Sequence, residues 1–506
     1  MTSRLRFALV AAVLIVSSLP VIATATSPAC DDRTNNTVDK LLDCVTVEGV
    51  RAHQAALQAA ADANGGNRAA GTSGYAESVA YVAETLEAAG YEVELNPFEF
   101  TFVPDAVLDQ LSPIAASYAT GAFTGSGSGT ISGNIIPVDL ALAPPQASSS
   151  ACEVTDFDGL DFSGPADIAL IQRGTCFFSV KAVNAQNAGA EAVIIFNQGN
   201  TPTRTGLIVA TAASLPDGSP SNLTIPVVGA SFFDGEALAS EGSTAFVNVE
   251  PDEIRTDYNV IAELPGRNDD NVVMAGAHLD SRREGPGIQD NGSGSAAILE
   301  TAVQMAKVKP QNTVRFAWWG AEELGLVGST AYVNGLAQEE LDRISLYLNF
   351  DMIGSPNFVF FVYDGDDSDA VGSGPGPDGS AQIEAFFEGF YENRGLPYLG
   401  TDFSGRSDYG PFIAVGIPAG GLFTGAEGVK TVEQAAIWGG TAGDQYDPCY
   451  HLACDTFDNV SMEALDVNSD AVAASVLTYG MNTESINGEK GKGNFKPMNQ
   501  DFGPLS

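Results

Sequence analysis

Basic residues are scarce in this sequence, which has 23 Lys and Arg against 64 Asp and Glu and a formal charge of −41. Nucleic-acid affinity comes mainly from basic side chains that neutralise phosphates, so this balance argues against a nucleic-acid partner. Long apolar runs are also missing, because nothing after the amino-terminal segment reaches the ~18 uninterrupted apolar residues of a membrane span. Histidine occurs only three times in 506 residues. Each histidine in a chemically suggestive motif is therefore informative.

The amino terminus has the pattern of an export signal. Arg4 and Arg6 precede an apolar run from Phe7 to Val16, and the small residues Ala23-Thr24-Ala25 follow. This order is typical of a signal peptide, here residues 1–25, and the run is too short for a spanning helix. We therefore expect a secreted, extracellular protein that begins near Thr26, has no membrane association after cleavage and acts as a monomer.

The six cysteines are an even number in a chain with an export signal. Disulfides are the expected state in an oxidising compartment, although sequence alone allows 15 pairings of six cysteines. Proximity along the chain favours three disulfides: Cys30–Cys44, Cys152–Cys176 and Cys449–Cys454. The last would close a small ring over CYHLAC.

Composition divides the chain after the signal peptide. Residues 26–100 predict helices and one strand that begin the main domain. Gly-, Ser- and Pro-rich linkers such as GAFTGSGSGTISGN mark an insertion over residues 101–250. The larger part of the main domain covers residues 251–483, and residues 484–506 are typical of a flexible tail.

The insertion contains the segment ADIALIQRGTCFFSVKAVNAQNAGAEAVIIFN. Its pattern predicts a strand, a tight turn, a helix and a second strand. The segment resembles the protease-associated (PA) domain, a non-catalytic module of many secreted and vacuolar peptidases. The resemblance implies a β-rich module inserted into the catalytic domain.

From about Arg255 onward, apolar runs such as NVVMAGAHLD and SLYLNFDMIG alternate with helical patterns. This alternation predicts an α/β fold with a mostly parallel central sheet and helices on both faces. Ligands of such sheets bind at the carboxyl ends of the strands.

Acidic and imidazole side chains occupy those predicted strand ends. The five candidate metal ligands are His278, Asp290, Glu323, Asp351 and His451. Such a set can hold two divalent ions ~3.5–4 Å apart if one carboxylate bridges them. We expect Asp290 to bridge, with His278 and Asp351 on one ion and Glu323 and His451 on the other. Taken singly, these residues are equally typical of a turn, a helix start or a core histidine, and only their joint placement favours a metal site.

Glu322 and Glu323 are adjacent, so their side chains do not easily share one direction. If Glu323 binds metal, Glu322 stays free beside a metal-bound water. A free carboxylate in that place can act as a general base and then deliver the proton to the leaving amine. We assign this role to Glu322.

An ordered set of motifs carries a family resemblance: AHLDS, GIQDNGSG, AWWGAEELGLVGS, LNFDMIG, GRSDYGPF, GGLFTGAEG and CYHLACDT. In this order they resemble the two-zinc aminopeptidases of peptidase family M28. The resemblance extends over NGGNRAAGTSGY and over residues from about 255 to 480. It implies zinc as the metal, two ions per chain, with the same five ligands and the same base.

The resemblance also implies roles for three further residues. Asp280 would orient His278, as metal-bound imidazoles usually require. Tyr450 would donate its hydroxyl to the oxyanion, and Arg406 would help to position the substrate. Peptides and proteins would be the substrates, with a preference for large apolar amino-terminal residues such as leucine.

Two departures from the family pattern concern the cleft edge and a second metal. Tyr409 follows GRSD where many relatives have a histidine, so the edge of the pocket can differ. Relatives also carry a structural calcium site, to which Asp466 and Asp470 could contribute, although the amino-terminal acidic partner is not evident.

Two other functions remain open at this stage. Glutamate carboxypeptidases share the metal fold and a PA domain, but they continue into a long helical region for which this chain is too short. A non-catalytic binding ectodomain on the same fold would be expected to lack ligands, and none is missing here.

Overall fold

The computed structural model describes residue 30, residues 32–372 and 374–491, and residue 495. The predicted signal peptide lies outside the described residues, and the predicted tail is described only at 484–491 and 495. The chain forms two compact units: one contains the residues up to Phe100 and those from Thr256 onward, and the other is Thr101–Arg255.

Strands and helices are numbered here in chain order. The strands are β1 (Glu92–Phe102), β2 (Val107–Ser112), β3 (Ala116–Tyr118), β4 (Gly129–Val138), β5 (Asp167–Gln172), β6 (Ala192–Phe196), β7 (Val227–Ala230), β8 (Thr244–Val249), β9 (Glu253–Leu264), β10 (Asn268–His278), β11 (Asn312–Trp319), β12 (Ile344–Phe350), β13 (Phe361–Tyr363), β14 (Leu399–Thr401) and β15 (Ala419–Phe423). The helices are α1 (Val38–Leu42), α2 (Val47–Ala63), α3 (Ser73–Ala89), α4 (Phe178–Ala188), α5 (Phe232–Leu238), α6 (Gly292–Met305), α7 (Val327–Gly335), α8 (Gln338–Arg343), α9 (Ser380–Asn393), α10 (Tyr409–Ala414), α11 (Val432–Trp438), α12 (Met462–Met481) and α13 (Glu484–Asn487).

The first unit is built on an eight-stranded sheet in the order β1-β9-β11-β10-β12-β15-β13-β14. Its four central strands, β11, β10, β12 and β15, run parallel to one another. Alternate side chains of β11 enter different cores: Phe316 and Trp318 pack with α6 and α12, whereas Ala317 and Trp319 pack with α7 and α10. The predicted α/β class, with a mostly parallel central sheet covered on both faces, is confirmed.

The parallel centre brings the ends of distant segments to one edge. His278, the last residue of β10, is in register with Trp319, the last residue of β11. Phe350 ends the neighbouring strand β12, and Asp351 follows it directly. Side chains that follow these strands therefore meet at the carboxyl edge of the sheet.

Helix α6 begins against that edge. Asn291 caps the helix by accepting from the Gly294 amide at 2.9 Å, and its amide group donates to the Phe350 carbonyl at 2.9 Å. A Cβ at Gly294 would lie 2.0 Å from the same carbonyl oxygen. The glycine therefore permits the close approach that places Asp290 beside Asp351.

The second unit contains a seven-stranded sheet in the order β3-β2-β8-β4-β5-β6-β7. Strands β4 to β7 are parallel and β2, β3 and β8 pair antiparallel. The segment from β5 through α4 to β6 has the predicted strand, turn, helix and strand. The disulfide Cys152–Cys176 lies beside this turn.

All three disulfides of the structure are the expected ones. Cys30 pairs with Cys44, Cys152 with Cys176 and Cys449 with Cys454, and the described residues contain no free cysteine. No helix in the described part of the chain is both long and apolar enough to cross a membrane.

Candidate metal centre

The five predicted ligands converge in two triads that share Asp290. One triad contains His278, Asp290 and Asp351: His278 Nε2 lies 3.3 Å from Asp290 Oδ1 and 3.2 Å from Asp351 Oδ1. The other contains Asp290, Glu323 and His451: His451 Nε2 lies 3.2 Å from Asp290 Oδ2 and 3.1 Å from Glu323 Oε2. Each oxygen of Asp290 therefore faces a different imidazole, which is the geometry of a bridging carboxylate.

These distances fit two tetrahedral zinc ions. Zinc binds imidazole nitrogen and carboxylate oxygen at ~2.0–2.2 Å, so two donor atoms of one tetrahedral site lie roughly 3.3–3.6 Å apart. The four distances above, 3.1–3.3 Å, are close to that edge length. Imidazole and carboxylate are also a donor set that suits zinc.

The elements that carry the ligands hold some of them in strained conformations. Ala321 precedes Glu322, Met352 follows Asp351, and His451 is itself a ligand; their φ angles are 55°, 55° and 58°. Such left-handed conformations of non-glycine residues cost of order 1–3 kcal/mol each and persist where surrounding contacts hold them. Three of the ten non-glycine residues with positive φ in the described chain therefore lie in the segments that form the site.

Asp280 orients His278 and the two glutamates together. His278 Nδ1 lies 3.1 Å from the backbone carbonyl of Asp280 and 3.7 Å from its carboxylate Oδ1. The carboxylate oxygens accept from the backbone amides of Glu322 at 3.1 Å and Glu323 at 3.3 Å. The nearest acceptor for the imidazole is thus the carbonyl of Asp280, while its carboxylate fixes the turn that presents both glutamates.

The adjacent glutamates face different surroundings, as expected. Glu322 lines the cleft together with His278, and Glu323 faces His451. Burial raises the pKa of Glu322 well above its usual value, and Asp351 and Asp408 add to this increase while His278 opposes it. Burial and Asp290 raise the pKa of Glu323 to about 7, against the effect of His451. Burial of this kind disfavours the ionised form of both carboxyl groups.

The charges within the two triads shift the pKa values of the shared carboxylate and of the imidazoles. Burial opposes ionisation of Asp290, but hydrogen bonds to His278 and His451 outweigh it and lower the pKa of Asp290. Burial also opposes protonation of His278, yet Asp351 and Glu322 raise its pKa well above the usual value. The two imidazoles attract protons strongly because they face an excess of carboxylates, and the same excess attracts divalent cations.

Polar groups behind the ligands fix Asp351. Ser407 Oγ donates to Asp351 Oδ2 at 2.6 Å, and Asn349 Nδ2 donates to Ser407 Oγ at 2.8 Å. Asn291 Oδ1 accepts from the Met352 amide at 3.1 Å. Metal-binding carboxylates are usually held by such outer hydrogen bonds.

Asp290 is held through its backbone. Asp455 is buried and accepts from the backbone amides of Gln289 at 2.8 Å and Asp290 at 3.0 Å. Arg68 is also fully buried, and its guanidinium donates to the carbonyls of Leu279, Pro286 and Gly287 in the preceding loop.

His451 lies in the ring closed by Cys449–Cys454. Its ring stacks on Tyr450 with centroids 3.7 Å apart, and its side chain is 31% exposed. Burial opposes protonation, but hydrogen bonds to Asp290 and Glu323 outweigh it and raise the pKa of His451 to about 9.

A cleft of about 110 Å³ opens over the ligands. Tyr450 and Arg406 both line it, and Arg406 Nη2 lies 3.2 Å from Tyr450 Oη. Arg406 Nη1 also pairs with Glu427 Oε1 at 2.7 Å. The rest of the wall includes several apolar and aromatic side chains: Met352, Tyr363, Tyr409, Phe423 and Ala426.

Tyr409, the departure from the family pattern, supports the turn that carries Arg406. Its hydroxyl accepts from the Gly405 amide at 2.9 Å and lies 3.3 Å from Ser404 Oγ. Gly405 has φ of 76°, which a glycine adopts freely. The tyrosine thus shapes the cleft edge without facing the two triads.

The predicted calcium residues Asp466 and Asp470 are not among the groups of three or more closely spaced candidate ligands in the described chain. Asp470 instead accepts from Arg394 Nη2 at 3.0 Å, and Arg394 also lies over the ring of Phe390. The calcium site stays a prediction. A separate acidic group of Asp364, Asp366 and Glu384 lies elsewhere in the unit.

Sequence reasoning assigned no role to Asn291, Ser407, Asp455 or Arg68, although all four lie within the motifs quoted above. Asn291 directly follows the predicted ligand Asp290, and Asp455 directly follows Cys454 of the disulfide ring that contains His451. Their positions in the sequence could therefore have indicated a role at the site. Ser407 and Arg68 act on segments 56 and more than 200 residues away, so no local pattern indicates their partners.

Comparison with known proteins agrees with this geometry. The model of peptidase family M28 matches residues 259–476, and that of the PA domain matches residues 136–238. An aminopeptidase of Pseudomonas aeruginosa (strain UCBPP-PA14) is 48% identical over 457 residues, covering 88% of this chain and 83% of the relative. Leucine aminopeptidase 2 of Trichophyton equinum is 40% identical, covering 88% and 86%.

Two solved structures are similar over most of their length. A zinc aminopeptidase from Bacillus subtilis has a TM-score of 0.58 and 25% identity, covering 85% of this chain and 94% of that chain. An aminopeptidase from Aneurinibacillus sp. strain AM-1 has a TM-score of 0.52 and 27% identity, covering 93% and 99%. The chain therefore belongs to peptidase family M28 as an aminopeptidase that carries a PA domain.

Proposed function

We propose that this protein is a secreted two-zinc aminopeptidase that removes amino-terminal residues from peptides and proteins. The observation that carries the proposal is the pair of triads that share Asp290, with an imidazole in each. His278, Asp290 and Asp351 would hold one zinc ion, and Asp290, Glu323 and His451 the other. One chain supplies all five ligands, so a monomer suffices for activity.

Two bound zinc ions would polarise the scissile carbonyl and acidify a shared water. The chain's own residues perform the proton transfers and the positioning. Glu322, in its poorly solvated place in the cleft, takes the proton from the attacking water and delivers it to the leaving amine. Tyr450 donates its hydroxyl to the developing oxyanion, and Arg406, 3.2 Å from that hydroxyl, keeps it in place at the cleft edge.

The apolar part of the cleft supports a preference for large apolar amino-terminal residues such as leucine. Met352, Phe423 and Ala426 present aliphatic and aromatic surface beside the triads. Burial of a leucine side chain against such a surface is worth roughly 1.5–3 kcal/mol, enough for a 10- to 100-fold preference over glycine.

Export is supported by the signal-like amino terminus and by the three disulfides, which persist in oxidising compartments. The PA domain has no role in the reaction as proposed.

A panel of aminoacyl p-nitroanilides, with zinc analysis of the same sample, tests the proposal. We expect fastest hydrolysis of the leucyl substrate, no hydrolysis of its N-acetylated form, and two zinc ions per chain. Release of carboxy-terminal residues from peptides would instead indicate a carboxypeptidase. Two bound zinc ions without any hydrolysis would indicate a binding protein.

A further inference from the structure

Arg282 lies beside the ligand Glu323 and has no part in the reaction described above. Its Nη1 donates to the backbone carbonyl of Glu323 at 3.0 Å, and its Nε lies 3.9 Å from Glu323 Oε2. A small cavity beside the second triad is lined by Arg282 together with Asp290, Glu323 and His451. It is separate from the cleft that Arg406 and Tyr450 line.

Two polar atoms at this contact lack hydrogen-bond partners among the described residues. They are Nε of Arg282 and Oε1 of Glu323, and both are buried. Buried polar atoms are almost always paired, so both atoms are expected to have partners in the working state of the site.

In the first triad, a residue that is not a ligand holds a ligand in place. There Ser407 donates to Asp351 at 2.6 Å and fixes the carboxylate whose other oxygen faces His278. In the second triad Glu323 has Oε2 facing His451, and Arg282 is the cation that contacts the same residue. Ser407 and Arg282 thus each contact one ligand of a triad without being ligands themselves, Ser407 through the carboxylate and Arg282 through the backbone carbonyl.

We propose that Arg282 is a positioning residue for Glu323 and sets the affinity of the zinc ion held by Asp290, Glu323 and His451. This inference rests on the proposed two-zinc function. The hydrogen bond from the guanidinium anchors the backbone of Glu323, and the position of that backbone keeps Oε2 directed at His451. Groups that orient metal ligands typically change metal affinity by about 10- to 100-fold when removed.

The competing interpretation is a surface ion pair, because Arg282 Nε also lies 3.7 Å from Glu284 Oε2. The side chain of Glu284 is 56% exposed, whereas that of Glu323 is 7% exposed. Water screens the attraction between Arg282 and the exposed Glu284. The attraction to the buried Glu323 is screened less and is therefore the stronger of the two.

The test compares Arg282→Met, Arg282→Lys and the neighbouring control Arg283→Met in the full chain. Stepwise zinc affinities are measured by competition with a chromogenic chelator, and thermal unfolding of chelator-treated protein is measured in parallel. We expect Arg282→Met to weaken one of the two zinc ions about 10- to 100-fold and to leave the other within about twofold. Arg282→Lys should recover part of the loss, and Arg283→Met should resemble the wild type.

Equal weakening of both ions, unchanged affinities in Arg282→Met, or the same loss in Arg283→Met would overturn the inference while leaving the two-zinc function intact. A wild-type protein that binds fewer than two zinc ions would overturn both. A lower unfolding temperature in Arg282→Met without a selective zinc loss would assign Arg282 a purely structural role and so also contradict the inference.

Discussion

The two triads share Asp290 but differ in how the protein holds them. His278 ends a central strand, is 1% exposed in its side chain and faces Asp351, which Ser407 fixes from behind. His451 lies in a loop that the disulfide Cys449–Cys454 closes, and its side chain is 31% exposed. Central strands of the sheet therefore position the imidazole of the first triad, whereas a disulfide-closed loop carries the imidazole of the second.

Loss of each imidazole should give the largest difference between the triads. In chelator-treated protein, His278→Ala leaves buried carboxylates without their partner and should lower the free energy of unfolding by about 3–5 kcal/mol. His451→Ala affects a partly exposed group and should cost about 1 kcal/mol or less. Denaturant unfolding of both variants measures this, and equal losses would mean that the triads do not differ as described.

Removal of the ring should act on the second triad alone. The double variant Cys449→Ser with Cys454→Ser releases His451 from its constrained conformation, and we expect one zinc ion to bind about 10- to 100-fold more weakly. The matched control is Cys152→Ser with Cys176→Ser, which opens a disulfide in the other unit. Competition with a chelator measures the zinc affinities of both variants. Unchanged zinc binding in the Cys449→Ser and Cys454→Ser variant would show that the disulfide ring does not hold His451 for zinc binding.

A smaller effect is expected from pH. His451 has a pKa of about 9 in the fold against 6.5 as its ordinary value. Its protonation therefore stabilises the chelator-treated protein fully below pH ~6.5, and this contribution is lost as the pH rises through about 9. Zinc must displace the same proton, so its stabilising effect grows over the same window.

Without zinc, the unfolding temperature should accordingly fall by a few °C between pH 6 and pH 10. For a chain of this size, each kcal/mol lost from the free energy of unfolding lowers that temperature by roughly 2–4 °C or somewhat less. With zinc in excess the fall should be smaller or reversed. His451→Ala is the control in which the difference between the two curves shrinks. Parallel curves with and without zinc in the unmodified protein would contradict the assignment of His451 as a ligand.

The sequence predicts the parts of the site that depend on the parallel strands of the sheet. The apolar runs before His278 and Asp351 predict buried parallel strands, and parallel strands bring their ends to one edge. Five ligands suffice for two ions if one carboxylate bridges. The oxygens of Asp290 face the two imidazoles, and its role as the bridging ligand stays a prediction.

The supporting groups escaped prediction because their partners are distant in sequence. Ser407 meets Asp351 across 56 residues and Asp455 meets Gln289 across 166. The contact of Asp280 with His278 is closer through the carbonyl than through the carboxylate, a choice that depends on the backbone after β10. No sequence pattern singles out Arg282, and its role is indicated by its hydrogen bond to the backbone carbonyl of Glu323.

The proposed reaction requires that five side chains hold two cations while the neighbouring Glu322 moves the proton. Glu322→Gln tests it most directly, with Glu323→Gln as the matched neighbour, by zinc analysis and turnover of a leucyl substrate in the same samples. We predict that Glu322→Gln keeps two zinc ions and loses about 10²–10⁴-fold in turnover, whereas Glu323→Gln loses one zinc ion. Loss of zinc from Glu322→Gln, or turnover close to that of the unmodified protein, would contradict the account.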